Sequence, residues 1–409
     1  MDQNKNINHA GRAHALLSAS GASRWMACTP SVKIEEQYGH DDGEESIFAR
    51  EGTLAHELSE LKLLEAAGLL NPIDEDPHSD ALADIRAHEL YAKEMEGYTD
   101  TYVETIMEQI SELGSEAKLL IEERVDFSKY APEGFGTGDS LILSPSVLVI
   151  GDLKYGKGVQ VDATDNSQLK LYALGALSMY HKDYPNIETI RLIIIQPRLD
   201  HIDKWELSVD DLLEWGEKVV KVKALEAISG SGDFKAGAHC RWCKHAPRCK
   251  ALRDHSIEAA KADFALDPED VKSAGLSDTE MVQMYLEIPV VQMWIKKVEE
   301  YMHKEALKGK SWEGLKLVEG RSQRAWQDSE TVAQVLRDNL YTDEEIYTSK
   351  IQGITAIESL LGKKEFKEML GDLVVRPQGK ASLVHKSDKR PEMGIRSARA
   401  DFDDDFKDD

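Results

Sequence analysis

Cysteine is scarce in this chain, four in 409 residues, which excludes a disulfide-built scaffold. Long apolar runs are missing as well. No stretch approaches the roughly 18 consecutive apolar residues of a membrane span, and the polar start MDQNKNINHAGR lacks the apolar segment of a signal peptide. The sequence therefore reads as a soluble, cytoplasmic protein without a membrane partner. Positive charge is in deficit, with 50 Lys plus Arg against 75 Asp plus Glu and a formal net charge of −25. That balance excludes a protein that coats nucleic acid by bulk electrostatics, so any DNA contact must come from local basic patches. Two motifs are lacking too: without G-x-x-x-x-G-K-[ST] there is no P-loop motor, and without G-x-S-x-G there is no hydrolase nucleophile elbow.

What is present, 41% apolar residues over this length, suffices for two or three domains with a substantial core. Residues 1–16 read as a loose polar start. A short helix then runs toward Cys28, with Ser18 and Ser20 as capping candidates. Leu54, Leu58, Leu61 and Leu64 recur at helical steps, predicting an amphipathic helix over about 51–70 that carries His56. NPIDEDPHSD reads as a loop and about 80–113 as a second long helix. The period then changes: 117–125, 136–143 and 147–154 read as three strands, 163–181 as a buried helix, 191–197 and 201–208 as two more strands, and 209–229 as a helix. The expected fold is a mixed α/β core over 17–254 with a helix crossing between strands. A mostly helical region follows over 255–374, with a long helix around 278–308. The remainder, 375–409, reads as a disordered tail that is first basic and then acidic, ending in DFDDDFKDD.

Three cysteines crowd into Cys240-x2-Cys243-x5-Cys249. Thiolates at this spacing suit zinc or an iron–sulfur cluster. His239 or His245 could complete a local zinc site, and Cys28 could complete a four-cysteine site from the other end of the domain. Asp139 in GTGDSLIL and Asp152 in VIGDLKYGKG lie on strands joined by a short turn, where paired carboxylates can share Mg2+ or Mn2+. Lys154 returns to the face of Asp152, two residues on. A metal with an ammonium beside it suits phosphodiester hydrolysis; an exposed Asp–Lys ion pair on a hairpin is the plainer reading of the same residues. His56 can offer a neutral imidazole to a metal, although a helix histidine is commonly a surface or core-edge residue. Gln168 and Tyr172 share one helix face and could orient Lys154 or a phosphate, or simply mark a partly exposed helix end.

The order of these signals, a serine-rich start leading to Cys-x-Pro, then G-T-x-x-H, G-x-x-D, D-x-K, Q-x-x-x-Y and C-x2-C-x5-C, resembles the RecB-type PD-(D/E)XK nucleases with an iron–sulfur clasp. Those include the AddB nuclease domain and the CRISPR-associated RecB-like exonucleases. More narrowly, the chain is similar to a family of phage and prophage proteins assigned to that superfamily. The resemblance covers about residues 17–250. It implies a restriction-endonuclease-like mixed sheet, with His56, Asp139, Asp152 and the Leu153 carbonyl on a catalytic Mg2+ or Mn2+. It further implies Lys154 acting on the attacking water, Gln168 and Tyr172 supporting it, and Cys28, Cys240, Cys243 and Cys249 holding a [4Fe–4S] cluster. Asp152 stands where many relatives have Glu, and Gly138 stands before Asp139 where others have proline; neither departure implies a dead enzyme.

The expected activity is thus a metal-dependent deoxyribonuclease, an exonuclease in phage or prophage recombination or replication, acting in the cytoplasm of a bacterial host. DNA contacts are expected from Lys157, Lys170, Arg241, Lys244, Arg248 and Lys250, and from the basic stretch 376–399. Trp25, Trp205 and Trp242 could stack on bases, or be packed in the core. The acidic tip could bind replication or recombination proteins. The alternatives are a non-catalytic DNA-binding accessory protein of the same fold and a zinc-stabilised interaction protein.

Overall fold

The structure is a computed structural model that describes residues 15–38, 46–70, 75–261, 278–315, 329–338 and 361–370, with short pieces at 342–343, 357 and 373–374. The expected loose start up to residue 14, and the tail 375–409 with its basic stretch and acidic tip, lie outside the described residues. By compactness the chain divides into two units, Met1–Ala259 with Val290–Leu317, and Ala260–Pro289 with Val318–Asp409.

The first unit opens with α1 (Ala22–Ala27) and α2 (Ser31–Glu36). The N-cap of α1 is Gly21, with no side-chain cap, rather than either expected serine; Ser18 accepts the Gly21 N–H just ahead of the helix. Next come α3 (Ile47–Ala66), α4 (Glu75–Ala87) and α5 (Glu94–Leu113). The predicted single helix over 80–113 is therefore two, and α4 starts inside the stretch read as a loop. Pro77 lies in the first turn of α4, where a missing N–H is tolerated. Between the two helices the chain breaks, with the Leu90 N–H donated to His88 Nδ1. This break lets Leu90 and Tyr91 pack with Leu54, Leu58 and Met95; tertiary burial overrides the local helical preference of this stretch.

The sheet is as the sequence suggested: β1 (Lys118–Asp126), β2 (Phe135–Leu143), β3 (Val147–Leu153), β4 (Thr189–Gln196) and β5 (His201–Ser208) lie in the order of the chain. All neighbours are antiparallel except β3 and β4, which are parallel. Parallel neighbours need a crossover, supplied by α6 (Ser167–Tyr180). The α6 residues from Leu169 to Leu177 are all buried. On that face Leu141, Leu148, Ile150, Leu192 and Ile194 join the α6 core, and on the other Ile142, Val149, Ile193 and Ile195 meet Tyr102 and Ile106 of α5. Coverage of both faces explains the isoleucine run of β4; each such side chain contributes about 1.5–3 kcal/mol. After β5, α7 (Val209–Trp215), a π-turn at Gly216–Val220 and α8 (Lys221–Ser229) run on without a gap. Beyond the cysteine segment come α9 (Lys250–Lys261) and α10 (Asp278–Leu307), with the division between units falling at Pro289. In the second unit, α11 (Ser329–Asp338) and α12 (Lys363–Leu370) bury Ala333 and Phe366.

A polar cluster fixes the α3–α4–α5 corner. Lys62 Nζ reaches Glu96 and, at 2.8 Å, Asp100, while Arg86 Nε and the Tyr91 hydroxyl donate to Glu96 at 2.8 and 3.0 Å. Burial alone would raise the Glu96 carboxyl, but hydrogen bonds from Arg86 and Lys62 outweigh it and hold the group at about 2. A carboxyl held low contributes stability that is complete above its ordinary value near 4.5 and is lost as pH falls toward 2. Glu96→Gln is therefore expected to lower the melting temperature at pH 7, with the gap to wild type closing between about pH 4.5 and 2 in thermal unfolding followed by circular dichroism.

Candidate functional site

The ladder between β2 and β3 runs from Leu143 opposite Leu148 to Ser140 opposite Gly151, and there it stops. Below that point β2 stays paired with β1, and β3 with β4. Asp139 and Asp152 are the first residues past the fork, one on each strand. The Leu153 N–H is donated to Asp139 Oδ2 at 2.8 Å. A side chain at Gly151 would meet Ser140 Oγ at 2.4 Å and Ile106 Cδ1 at 2.6 Å, so both would have to shift to admit one.

Asp152 and Lys154 lie toward α6, which presents Gln168 and Tyr172 to them. Lys154 Nζ is 2.8 Å from Asp152 Oδ2 and donates to Gln168 Oε1 at 3.1 Å. Gln168 Nε2 donates to Asp152 Oδ1 at 3.0 Å and to the Tyr172 hydroxyl at 3.2 Å. Only one orientation of the Gln168 amide serves a carboxylate and an ammonium together. The predicted polar pair of α6 thus clamps the Asp-x-Lys: Gln168 is partly exposed at the Asn166-capped start of the helix, and Tyr172 is buried.

His56 comes from α3 with Nδ1 3.5 Å from Asp139 Oδ2. Beside it stands a residue the sequence reading missed. Glu122 takes a left-handed φ of +49° opposite Asp139, a conformation rare outside glycine that collects at functional sites. Across it the faces of β1 switch: Leu120 packs with α6, Ile121 with α5, and Val125 with α6 again. One ligand atom each of His56, Glu122 and Asp139 lie within 4.8 Å of one another. Ser59, Glu60, Tyr102 and Leu153 complete the lining of this small pocket.

Burial pushes the His56 imidazole down, against the pull of Asp152 and Glu122, so it is neutral at pH 7 with a lone pair to give. Burial also works to lower Lys154, but the charges of Asp152 and Asp139 outweigh it and hold the amine above its ordinary value. Burial, together with the same two carboxylates, raises Tyr172 far enough to keep its phenol protonated. Asp152 is only 2% exposed, and its Oδ2, apart from the contact with Lys154, accepts no hydrogen bond. The grouped donors, one imidazole and two carboxylates, are a set that fits a hard divalent cation such as Mg2+ or Mn2+; the expected ligand Asp152 lies outside that group, with a buried oxygen short of partners.

Past Lys154, residues 156–160 are exposed and carry Lys157. Buried Gln196 holds this stretch, donating to the Gly156 and Val159 carbonyls at 3.0 and 2.8 Å and accepting from the Val161 N–H at 3.1 Å. Its position at the end of an isoleucine run gave no sign of that task. Lys170 corrects an expectation: it is 4% exposed, paired with Asp165 and stacked over Trp215, so it cannot meet DNA. It lies at a core position of a helix buried on all sides.

At the far end of the same unit the four cysteines converge. Cys28 ends α1, Cys240 and Cys243 belong to the turn after Gly237, and Cys249 precedes α9. All four line one pocket together with Arg24, His239 and His245. Burial raises the Cys28 and Cys240 thiols and pushes Cys243 up to about 12. Among the described residues no three of these sulfurs lie mutually within 4.8 Å, whereas a single zinc with Zn–S bonds of about 2.3 Å spaces its thiolates at about 3.8 Å. His239 and His245 each have a ring nitrogen engaged, with the Lys235 carbonyl and the Tyr38 hydroxyl. The donor set is four thiols with two histidines beside them, a chemistry that suits zinc or an iron–sulfur cluster. Arg241, Lys244, Arg248 and Lys250 are exposed around it. Trp25 is buried and Trp205 half-buried, while Trp242 is exposed.

Fold and site together define a mixed α/β protein with flanking helices, a forked carboxylate–lysine site and a separate four-cysteine pocket. The chain belongs to the family described as "Protein of unknown function (DUF2800)", which it matches over residues 14–391. It is also similar to a solved structure titled "Crystal structure of SSO0001", with 15% identity over 55% of this chain and 94% of that one and a TM-score of 0.22. Among the described residues no helix is long and apolar enough to cross a membrane.

His56→Ala is expected to weaken Mn2+ binding at least roughly tenfold in isothermal titration, without changing thermal unfolding in EDTA. Because the wild-type imidazole is already neutral, its Mn2+ affinity should hold between pH 7.5 and about 6.5.

Proposed function

We propose that this chain is a metal-dependent deoxyribonuclease of the PD-(D/E)XK type, an exonuclease of phage or prophage recombination or replication, stapled by a [4Fe–4S] cluster. The observation that carries the reading is the forked pair Asp139 and Asp152 with Lys154 clamped beside them by Gln168. Three residue types with three tasks meet there, and an exposed ion pair on a hairpin would need none of the burial.

In this reading His56, Asp139, Asp152 and the Leu153 carbonyl hold the cation, with Glu122 as a further carboxylate. A bound Mg2+ or Mn2+ supplies a more acidic water and neutralises phosphate charge. Lys154, kept protonated, acts as a fixed positive charge and hydrogen-bond donor toward the phosphoryl oxygens rather than as a base. Water adds to phosphorus, the bond to the leaving sugar oxygen breaks, and that oxygen departs with a proton. Gln168 and Tyr172 keep the Asp152 carboxylate and the ammonium apart from free rotation, so that little reorganisation is needed as charge develops. Cys28, Cys240, Cys243 and Cys249 hold the cluster, joining the first helix of the unit to the segment after α8. The opposed positions of Cys28 and Cys249 in the chain make that joint a closure of more than two hundred residues, which is the stabilising task of a cross-link.

Anaerobically purified protein is expected to be brown with about four irons per chain, and Cys28→Ser to lose colour and iron. Cleavage of end-labelled linear DNA should require Mg2+ or Mn2+ and fall at least roughly 100-fold in Lys154→Ala with the cluster absorbance intact. Equal inactivity of both proteins on linear and circular, single- and double-stranded DNA would overturn the nuclease and favour a DNA-binding accessory protein. A colourless chain with one zinc would overturn the cluster.

A further inference from the structure

Trp242 is 68% exposed. An indole left in water forfeits a large apolar burial, whereas Trp25 is buried and Trp205 and Trp215 are half-buried against the core. The backbone that carries Trp242 is nevertheless tightly held. Arg24 Nη1 donates to the Trp242 carbonyl at 2.9 Å, and the same guanidinium is paired with Glu35 at 2.7 Å. Glu35 Oε1 in turn accepts the Lys244 N–H at 2.7 Å, so one ion pair from α1 and α2 grips the chain on both sides of Cys243. The Cys243 N–H closes the turn on the Cys240 carbonyl. Val290, Met293 and Trp294 of α10 pack with Cys240, Ala246 and Leu252 beneath it. The ring is thus displayed on a fixed support rather than left on a mobile loop.

Its surroundings are as unusual as its exposure. Residues 239–250, HCRWCKHAPRCK, contain no acid, although the whole chain carries −25. Arg241, Lys244, Arg248 and Lys250 are all exposed there. An aromatic face flanked by cations offers two different contacts, one for a planar ring and one for phosphate. Paired bases in a duplex are already stacked and hide their faces, so a ligand that uses both contacts has unstacked bases on a polyanionic backbone.

We propose that Trp242 and the cationic turn around it form a binding site for single-stranded DNA, with an unpaired base stacked on the indole and the adjoining phosphates on Arg241 and Arg248. This rests on the nuclease reading and deepens it by naming the strand state of the substrate that the protein grips. Neither residue touches the Asp139–Asp152 site, so grip and cleavage can be lost separately.

The test uses full-length, cluster-loaded protein with Ca2+ in place of Mg2+, and fluorescein-labelled oligo-dT against a hairpin duplex of equal length in fluorescence anisotropy. Trp242→Ala is expected to weaken oligo-dT binding roughly five- to 100-fold, the range for loss of one base–aromatic stack, and to leave duplex binding within about twofold. Trp242→Phe should restore most of the loss, since a phenyl ring still stacks. Arg241→Gln is expected to weaken both ligands and to flatten the salt dependence. Unchanged cluster absorbance and melting temperature in Trp242→Ala show that the turn has kept its fold. Equal affinity of wild type and Trp242→Ala for oligo-dT overturns the proposal, as does an equal loss on both ligands, which would mean that the turn grips phosphate alone. If the wild type binds neither DNA, the proposal fails and an acidic protein partner becomes the occupant to seek. Metal-dependent cleavage by a Trp242→Ala chain whose oligo-dT affinity equals that of the wild type would sink the stacking site and leave the nuclease standing; absent cleavage with intact stacking would do the reverse.

Discussion

The parting of β2 and β3 below Ser140 and Gly151 is the constraint on which the rest of the site depends. Were the ladder to continue, the Leu153 N–H would seek a carbonyl on β2 and not the Asp139 carboxylate. Because the strands separate, that N–H is answered by the Asp139 carboxylate, and two acids are brought to the lips of one gap. The fork is held open from both faces. Tyr172 of α6 fills the space that a side chain at Gly136 would take, and Ile106 of α5 occupies the space beside Gly151. Packing of the two helices, an apolar matter, thereby sets the geometry of a charged site.

Much of this was readable from residue order. The strand alternation that put Asp152 and Lys154 on one face is a period-two argument and holds, as does a buried α6 with Gln168 and Tyr172 at the end near the site. Glu122 was invisible for a definite reason: its reach to His56 depends on a positive φ, and nothing in I-E-E-R announces which acid leaves the strand conformation. The doublet of acids opposite Asp139 was the only signal. Lys170 failed for the opposite reason, since proximity in sequence to β2 and β3 says nothing about which side of a helix is covered. The break between α4 and α5 was hidden because Leu90 and Tyr91 satisfy a helical period, and only the α3 surface that receives them decides otherwise.

The cysteine pocket shows a different limit. Spacing alone grouped Cys240, Cys243 and Cys249, but the membership of Cys28 came from resemblance, because a partner more than two hundred residues away leaves no local pattern. In the structure the α1–α2 corner reaches the cysteine turn through more than Cys28: Arg24 bonds the Trp242 carbonyl, Glu35 accepts the Lys244 N–H and Tyr38 meets His245, while Lys33 lies against Gly230 at the end of α8. A seam with several independent contacts is not an accident of one thiol, and it explains why short helices of six residues each, too short to be stable alone, hold their place.

The two titratable groups flanking Asp152 carry the last step of the argument. His56 and Lys154 are both cationic when protonated and both are penalised by burial, yet they move in opposite directions. Lys154 has Asp152 in contact at 2.8 Å and Gln168 to accept another of its protons, so pairing exceeds desolvation. His56 meets the nearest carboxylate, that of Asp139, only at 3.5 Å, and desolvation prevails. Near pH 7 the site therefore presents a neutral imidazole and a fixed ammonium on the two sides of one pair of carboxylates. On the proposed reading, a lone pair for a cation and a positive charge for a phosphate would need that division, and environments that push like groups apart are how one pocket assigns different tasks to them.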